Sequence, residues 1–308
     1  MNAEQKYHLD RIFEAHPGLK HYDELGKRAA ACAPQSANDL AMAWGRSHPT
    51  FEAHPVGSSD LLSVVTADAP TDDSDVDTLL FVDVDEVFRD SAGTMMRAAG
   101  VEVDRMNNLG FQETFDTEEL TTPRGTADHI VLGMIAADYM DPMDDITASQ
   151  AALAELQRED HAVSWKTARI IGITSTLAGG EAATMKFMYE HAQKTLSGFG
   201  FNGDYTEGAR VKKSDIMLQF IEYFTGKGAD IQAVLYIDDS MSHIADFRAH
   251  VVPHVPFAAD TTPIHALNKF PTVDDMYGVA HKLRHSSSPS EGLSQLVQQV
   301  KTRRHDEG

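Results

Sequence analysis

Four short groups of residues have the types that phosphate chemistry needs, in a suggestive order. Asp83-Val84-Asp85-Glu86-Val87 sets two carboxylates one residue apart, Thr174-Ser175-Thr176 offers hydroxyls, Lys212-Lys213-Ser214-Asp215 offers an ammonium, and Asp238-Asp239 is a second acidic pair. A phosphate monoester is shielded by its own negative charge, so a carboxylate attacks phosphorus only where cations offset that charge. Two acidic groups that converge can hold a hard divalent cation through oxygen, while a lysine and a hydroxyl meet the oxygens in transfer. The spacing alone says little in a chain of formal charge −21, where Asp73-Ser74-Asp75 and Asp75-Val76-Asp77 repeat it. The weight comes from what precedes each group.

Thr78–Val82, Ala168–Ile173 and Ala233–Ile237 are short apolar runs of the kind a buried parallel strand shows, and His250–Val255 is a weaker fourth. Helical periodicity runs between them, over Ala182–Leu196 and Asp215–Phe224. Strands alternating with helices predict a parallel sheet covered on both faces, connected by right-handed crossovers. In open sheets of this type ligands bind beyond the carboxyl ends of the strands. Asp83, Thr174 and Asp238 fall at those ends.

Around that α/β core, at residues 76–88 and 167–285, the chain divides into three further parts. Residues 1–75 read as an N-terminal helical extension closed by a polar, acidic linker. Residues 89–166 read as a mostly helical insertion over the sheet's C-terminal edge, with helices at Ala127–Tyr139 and Thr147–Glu159. Residues 286–308 form a C-terminal helix and tail, opened by the capping sequence Ser288-Pro289-Ser290-Glu291.

The four chemical groups, in this order, resemble the motifs of the haloacid dehalogenase (HAD) superfamily, over roughly residues 76–260. Asp83, Asp85 and Val87 match the first motif, Thr174 (or its neighbour Ser175) the second, Lys213 in preference to Lys212 the third, and Asp238-Asp239 the fourth. Within the superfamily the chain looks closest to a bacterial branch with a helical cap between motifs one and two. The resemblance implies a three-layer, Rossmann-like core and a Mg2+-dependent phosphohydrolase. Asp83 would be the nucleophile that forms an aspartyl-phosphate, and Asp85 an acid and then a base, with a carboxyl raised toward neutrality. Thr174 and Lys213 would meet the transferring phosphoryl group. The Mg2+ ligands would be Asp83, the carbonyl of Asp85 and Asp239, with Asp238 as second choice. A small phosphorylated metabolite is the implied substrate and a phosphoprotein, phosphotyrosine included, the next. A phosphotransferase, or a silent HAD fold used as a protein-binding module, are the rival readings.

Composition narrows the partners. The −21 charge opposes binding to nucleic acid or anionic membrane. No run approaches the ~18 apolar residues of a membrane span, and the N-terminus lacks the basic start and apolar stretch of a signal peptide. With one cysteine and hence no intramolecular disulfide, the expected location is cytoplasmic. Cys32 itself reads as a buried small hydrophobe. Gly198-Phe199-Gly200-Phe201-Asn202-Gly203 matches a dinucleotide fingerprint as a string but opens no helix, so it reads as a glycine-rich loop. His250, His254 and His265 read as packed or solvated rather than as a metal set, and Met134, Met140 and Met143 as core filler.

Overall fold

The computed structural model describes residues 13–47, 53–57, 61–66, 73–98, 126–155, 168–176, 178–191, 196–202, 211–255, 264–265, 284–286 and 288–305, with residues 7, 10 and 11. Within them the strands are β1 (Ala53–Pro55), β2 (Leu62–Thr66), β3 (Thr78–Asp83), β4 (Ala168–Thr174), β5 (Gly198–Phe201), β6 (Ala233–Asp238), β7 (Ile264–His265) and β8 (Arg284–His285). The helices are α1 (Pro17–Ala31), α2 (Ala37–Ser47), α3 (Ser91–Ala98), α4 (Thr126–Ala136), α5 (Ile146–Ala154), α6 (Glu181–His191), α7 (Lys213–Gly226), α8 (Met241–His250) and α9 (Pro289–His305). None of these helices is long and apolar enough to cross a membrane.

All eight strands lie in one sheet, ordered β1-β2-β5-β4-β3-β6-β7-β8. β5 through β8 run parallel, while β1 and β2 join at the β5 edge antiparallel. Strands buried on both faces read as unbroken apolar runs, which is why β3, β4 and β6 stand out in the sequence. Alternate residues sort to opposite sides. Leu80, Val82, Leu235 and Ile237 face a layer that includes Trp44 of α2, Leu153 of α5, Met185 and Met188 of α6, and Leu293 of α9. Leu79, Phe81, Val234 and Tyr236 face Phe220 and Phe224 of α7 and Ile244 and Phe247 of α8. The result is a three-layer, Rossmann-like α/β fold.

Three local readings are corrected. His250–Val255 is no strand: α8 ends at His250 and a 3-10 turn covers Val252–His254 around Pro253. Val251 and Val255 are buried at this helix end rather than in a ladder, and the next parallel strand is β7. The glycine-rich Gly198–Phe201 segment is a strand, β5. Its phenylalanines face the α2 and α6 side. Its glycines leave room for α7, since a Cβ on Gly200 would fall 2.3 Å from Ile216 Cγ2. Cys32 follows α1 directly and is exposed, not buried.

The N-terminal segment and the insertion are built into the molecule rather than appended to it. α1 packs against α4 at a glycine contact on each helix, so close that a Cβ on Gly26 would lie 1.7 Å from His129 O and one on Gly133 1.8 Å from Tyr22 O. Leu19 of α1 shares a small core with Ile130, Met134, Ile135 and Met140. The α1 end also meets the loop after β4, where Gly179 (φ +101°) would carry a Cβ 2.4 Å from Ala29 O. α5, from the same insertion, instead joins the sheet-covering layer beside α9, and Asp145 before it accepts the Ser290 N–H at 2.8 Å.

Candidate active site

From the central strand β3 the chain runs outward through β4 and β5, then returns to β6 on the other flank of β3. The order of strands reverses there, and in open sheets of this type ligands bind at the carboxyl ends where it does. Asp83 is the last residue of β3 and Asp238 the last of β6. Lys213, first residue of α7, is buried between them with Nζ 2.7 Å from Asp83 Oδ1 and 2.8 Å from Asp238 Oδ2. Lys212 points elsewhere, to Asp246 at 3.3 Å.

The two carboxylates are not equivalent. Asp83 Oδ1 also accepts the Val84 N–H at 2.8 Å, whereas Oδ2 accepts nothing from the described residues. Asp238 is engaged at both oxygens. Oδ1 accepts the Ser240 N–H at 2.7 Å, Oδ2 accepts the Tyr236 hydroxyl, and His243 Nδ1 lies 3.3 Å away. Burial, then repulsion from Asp238, pushes the Asp83 carboxyl well above the usual range against the pull of Lys213. Burial alone would raise Asp238 too, but Lys213 and then His243 outweigh it and hold that carboxyl far below the usual range. For Lys213, burial opposes the charge, and the two carboxylates overcome it to lift the ammonium above the ordinary lysine value.

Asp85 follows in a tight turn. The N–H groups of Phe88 and Arg89 both reach the Val84 carbonyl, at 2.9 and 3.0 Å, and the Glu86 N–H donates to the Arg89 carbonyl at 2.8 Å. Glu86 takes a left-handed φ of 59° to close it. Such strain in a side-chain-bearing residue costs about 1–3 kcal/mol and clusters at functional loops. The turn brings Arg89 back onto Asp85, with Nε and Nη2 each 2.8 Å from Oδ1. Ser91 Oγ donates to Oδ1 as well, and Thr174 Oγ1 donates to Oδ2 at 2.9 Å. Burial favours a neutral Asp85, but Arg89, Ser91 and Thr174 together hold its carboxyl below the usual range. The expectation of an Asp85 raised toward neutrality is therefore corrected: a buried arginine, not considered in the sequence, sits on it. Thr174 likewise meets Asp85 here, while the Ser175 hydroxyl is buried without a partner among the described residues.

The arrangement fits a hard divalent cation. Asp83 and Asp238 share one ammonium, and Asp239, half-buried and close enough to raise Asp83 further, adds another carboxylate. With Asp85 neutralised by Arg89, the cluster carries an excess of negative charge that a divalent ion removes. Asp83 Oδ2 and the Asp85 carbonyl accept no hydrogen bond from the described residues, which leaves both as oxygen donors. Asp83, Asp238 and His243 also bring ligand atoms within 4.8 Å of one another. That set is the weaker one for magnesium, because imidazole suits softer ions and Asp238 already serves four donors.

Sequence reading assembled Asp83, Asp85, Thr174, Lys213, Asp238 and Asp239 into one place but missed Arg89, Ser91, Tyr236 and His243. Two had a signal: Arg89 lies four residues after Asp85 in a turn too short to carry it away, and His243 lies in the first turn of the helix after Asp238. No protein-family model and no curated protein matches the chain. Among solved structures, a HAD-superfamily hydrolase of subfamily IA, variant 1, from Geobacter sulfurreducens PCA is similar at a TM-score of 0.41 and 11% identity, covering 73% of this chain and 97% of that one.

Proposed function

We propose that this chain is a HAD-type, magnesium-dependent phosphohydrolase that cleaves phosphate monoesters through an aspartyl-phosphate on Asp83. The observation that carries the reading is the asymmetry of Asp83: one oxygen anchored by Val84 and Lys213, the other accepting nothing from the described residues at the end of β3. Asp83 Oδ2 attacks phosphorus, and the ester oxygen departs. Lys213 offsets charge on the phosphoryl group and keeps Asp83 and Asp238 from repelling one another. Asp83, the Asp85 carbonyl and Asp239 would hold the Mg2+, whose charge would offset that of the phosphate. Asp238 serves as the anchor of Lys213.

Asp85 is held as a carboxylate, the form that takes a proton from water in the second step. A small phosphorylated metabolite is the substrate class of choice, since α1, packed on α4, ends against the loop after β4 and the pair would cover a small ligand there. Substrates with leaving groups that depart unprotonated suit an ionised Asp85 best, which favours aryl esters such as phosphotyrosine as the second reading. The test is phosphate release from para-nitrophenyl phosphate and a phosphometabolite panel, with and without magnesium, against Asp83→Asn. Magnesium-dependent release that vanishes in the variant is expected; no release above the variant's background sinks the proposal.

A further inference from the structure

Among the described residues Arg89 is the most heavily engaged cation near the site, yet its side chain is almost fully buried. Its side chain is 2% exposed, whereas that of Asp85 is 33% exposed. The guanidinium reaches three segments at once. Nε and Nη2 meet Asp85 Oδ1 and Nε also lies 3.2 Å from Ser91 Oγ; Nη1 donates to Thr184 Oγ1 of α6 at 3.0 Å and Nη2 to Thr176 Oγ1 at 3.4 Å. The two threonine hydroxyls bond each other at 3.1 Å, and the Phe187 ring lies 5.9 Å from the guanidinium carbon. A planar fork of donors can hold such a set in a single orientation, which a lysine cannot.

What Arg89 holds is the direction of one carboxylate. Asp85 Oδ1 accepts the Arg89 Nε–H and the Ser91 hydroxyl, which take both of its lone pairs, and Nη2 lies 2.8 Å away as an ion-pair contact. Among the described residues Oδ2 receives one donor, Thr174, which leaves a lone pair open. That oxygen is bonded to Thr174, the last residue of β4, the strand that pairs with β3 and its terminal Asp83. We infer that Arg89 is a positioning residue for the second half of the reaction, locking Asp85 so that Oδ2 takes the proton of the water that hydrolyses phosphorylated Asp83. In that step the water oxygen bonds to phosphorus and its proton passes to Asp85 Oδ2. The bond from phosphorus to Asp83 breaks with its electron pair returning to the carboxylate, and inorganic phosphate leaves. The inference rests on the proposed hydrolase reading.

A kinetic split separates this role from a structural one. With para-nitrophenyl phosphate and magnesium, nitrophenolate leaves in the first step without needing a proton, so kcat/KM reports phosphorylation of Asp83 and kcat reports its hydrolysis when that step is slow. Arg89→Met should lower kcat about 10- to 100-fold, less than the ~10²–10⁴-fold that a general base contributes because Asp85 is misplaced rather than removed, while kcat/KM changes less than about threefold. KM then falls with kcat, and stopped flow should show a burst of nitrophenolate that the wild type lacks. Arg89→Lys should restore part of kcat and shrink the burst. If removing the arginine impairs folding, Thr184→Val, which takes away the Nη1 anchor and leaves Asp85 untouched, should produce the same split at smaller size. Equal losses of kcat and kcat/KM without a burst, in folded variants of a wild type that turns over, overturn the role of Arg89 alone. A wild type with no magnesium-dependent release overturns the hydrolase reading and this role with it.

Discussion

Lys213→Met keeps most of the side-chain bulk and removes only the charge that the two strand-end carboxylates share. Nζ sits 2.7 and 2.8 Å from their oxygens. At an effective dielectric of about 20 each attraction is roughly 6 kcal/mol, before the cost of desolvating all three groups is subtracted. Breaking a buried pair by removing one partner costs about 3–5 kcal/mol net, because the remaining charges stay behind uncompensated. Against a typical total of about 5–15 kcal/mol, that is a large share. The pH dependence has a definite sign. Lys213 is raised above its ordinary value, so its contribution is fully present below about 10.4 and is lost only as pH climbs through the folded value. In the variant the penalty belongs to ionised carboxylates, and Asp83, already raised, takes up a proton more readily without the ammonium. The deficit should therefore be about 3–5 kcal/mol at pH 8 and distinctly smaller at pH 5. Urea unfolding followed by circular dichroism at both values measures it. A loss under about 1 kcal/mol at pH 8, or one that does not change with pH, refutes the view that Lys213 compensates the pair.

In rapid-quench experiments with labelled substrate, label should be trapped on Asp83 in the wild type, be absent in Asp83→Asn, and persist longer in Asp85→Asn. Gly133→Ala places a methyl group 1.8 Å from Tyr22 O and should cost about 1–3 kcal/mol by thermal unfolding. Gly45→Ala in α2, which meets nothing within 4 Å, should instead stabilise by about 0.5–1 kcal/mol, and equal effects at the two glycines would deny the close α1–α4 contact. Asp85 is held below its ordinary value, so its contribution is present above about 3.9 and lost as pH falls. The stability deficit of Asp85→Asn at pH 7 should therefore shrink by pH 3 in chemical denaturation, and a constant deficit would contradict the Arg89 pairing.

What could be seen in the sequence was whatever is local or periodic. β3, β4 and β6 are apolar on both faces, so each announces itself, and the acidic groups that follow them sit at strand ends by simple adjacency. Lys213 could be preferred over Lys212, and the structure shows Lys212 paired outward to Asp246. The misses share one cause, dependence on distant partners. β5 hides because half its residues are glycines chosen for the approach of Ile216 and Phe220 on another element, which removes the β-branched signature of a strand. Likewise nothing near Arg89 in sequence announces Thr176 or Thr184, although they decide where its guanidinium points. The α1–α4 contact joins segments about a hundred residues apart, and neither helix carries a sign of the other beyond one glycine. The level of the Asp85 carboxyl was misjudged for the same reason: the acidic composition is visible, the buried cation is not.

The antiparallel pair at the sheet's β5 edge bears on solubility. Without it, Gly198-Phe199-Gly200-Phe201 would be an outer strand of low charge with open backbone groups, a template on which another chain could add. β2 takes up those groups, and β1, only three residues long, takes up those of β2. The outermost position then falls to Ala53-His54-Pro55, where the proline has no N–H to offer a newcomer. Chains lacking residues 53–66 should consequently be prone to edge-to-edge association even where the site at the far ends of β3 and β6 is intact.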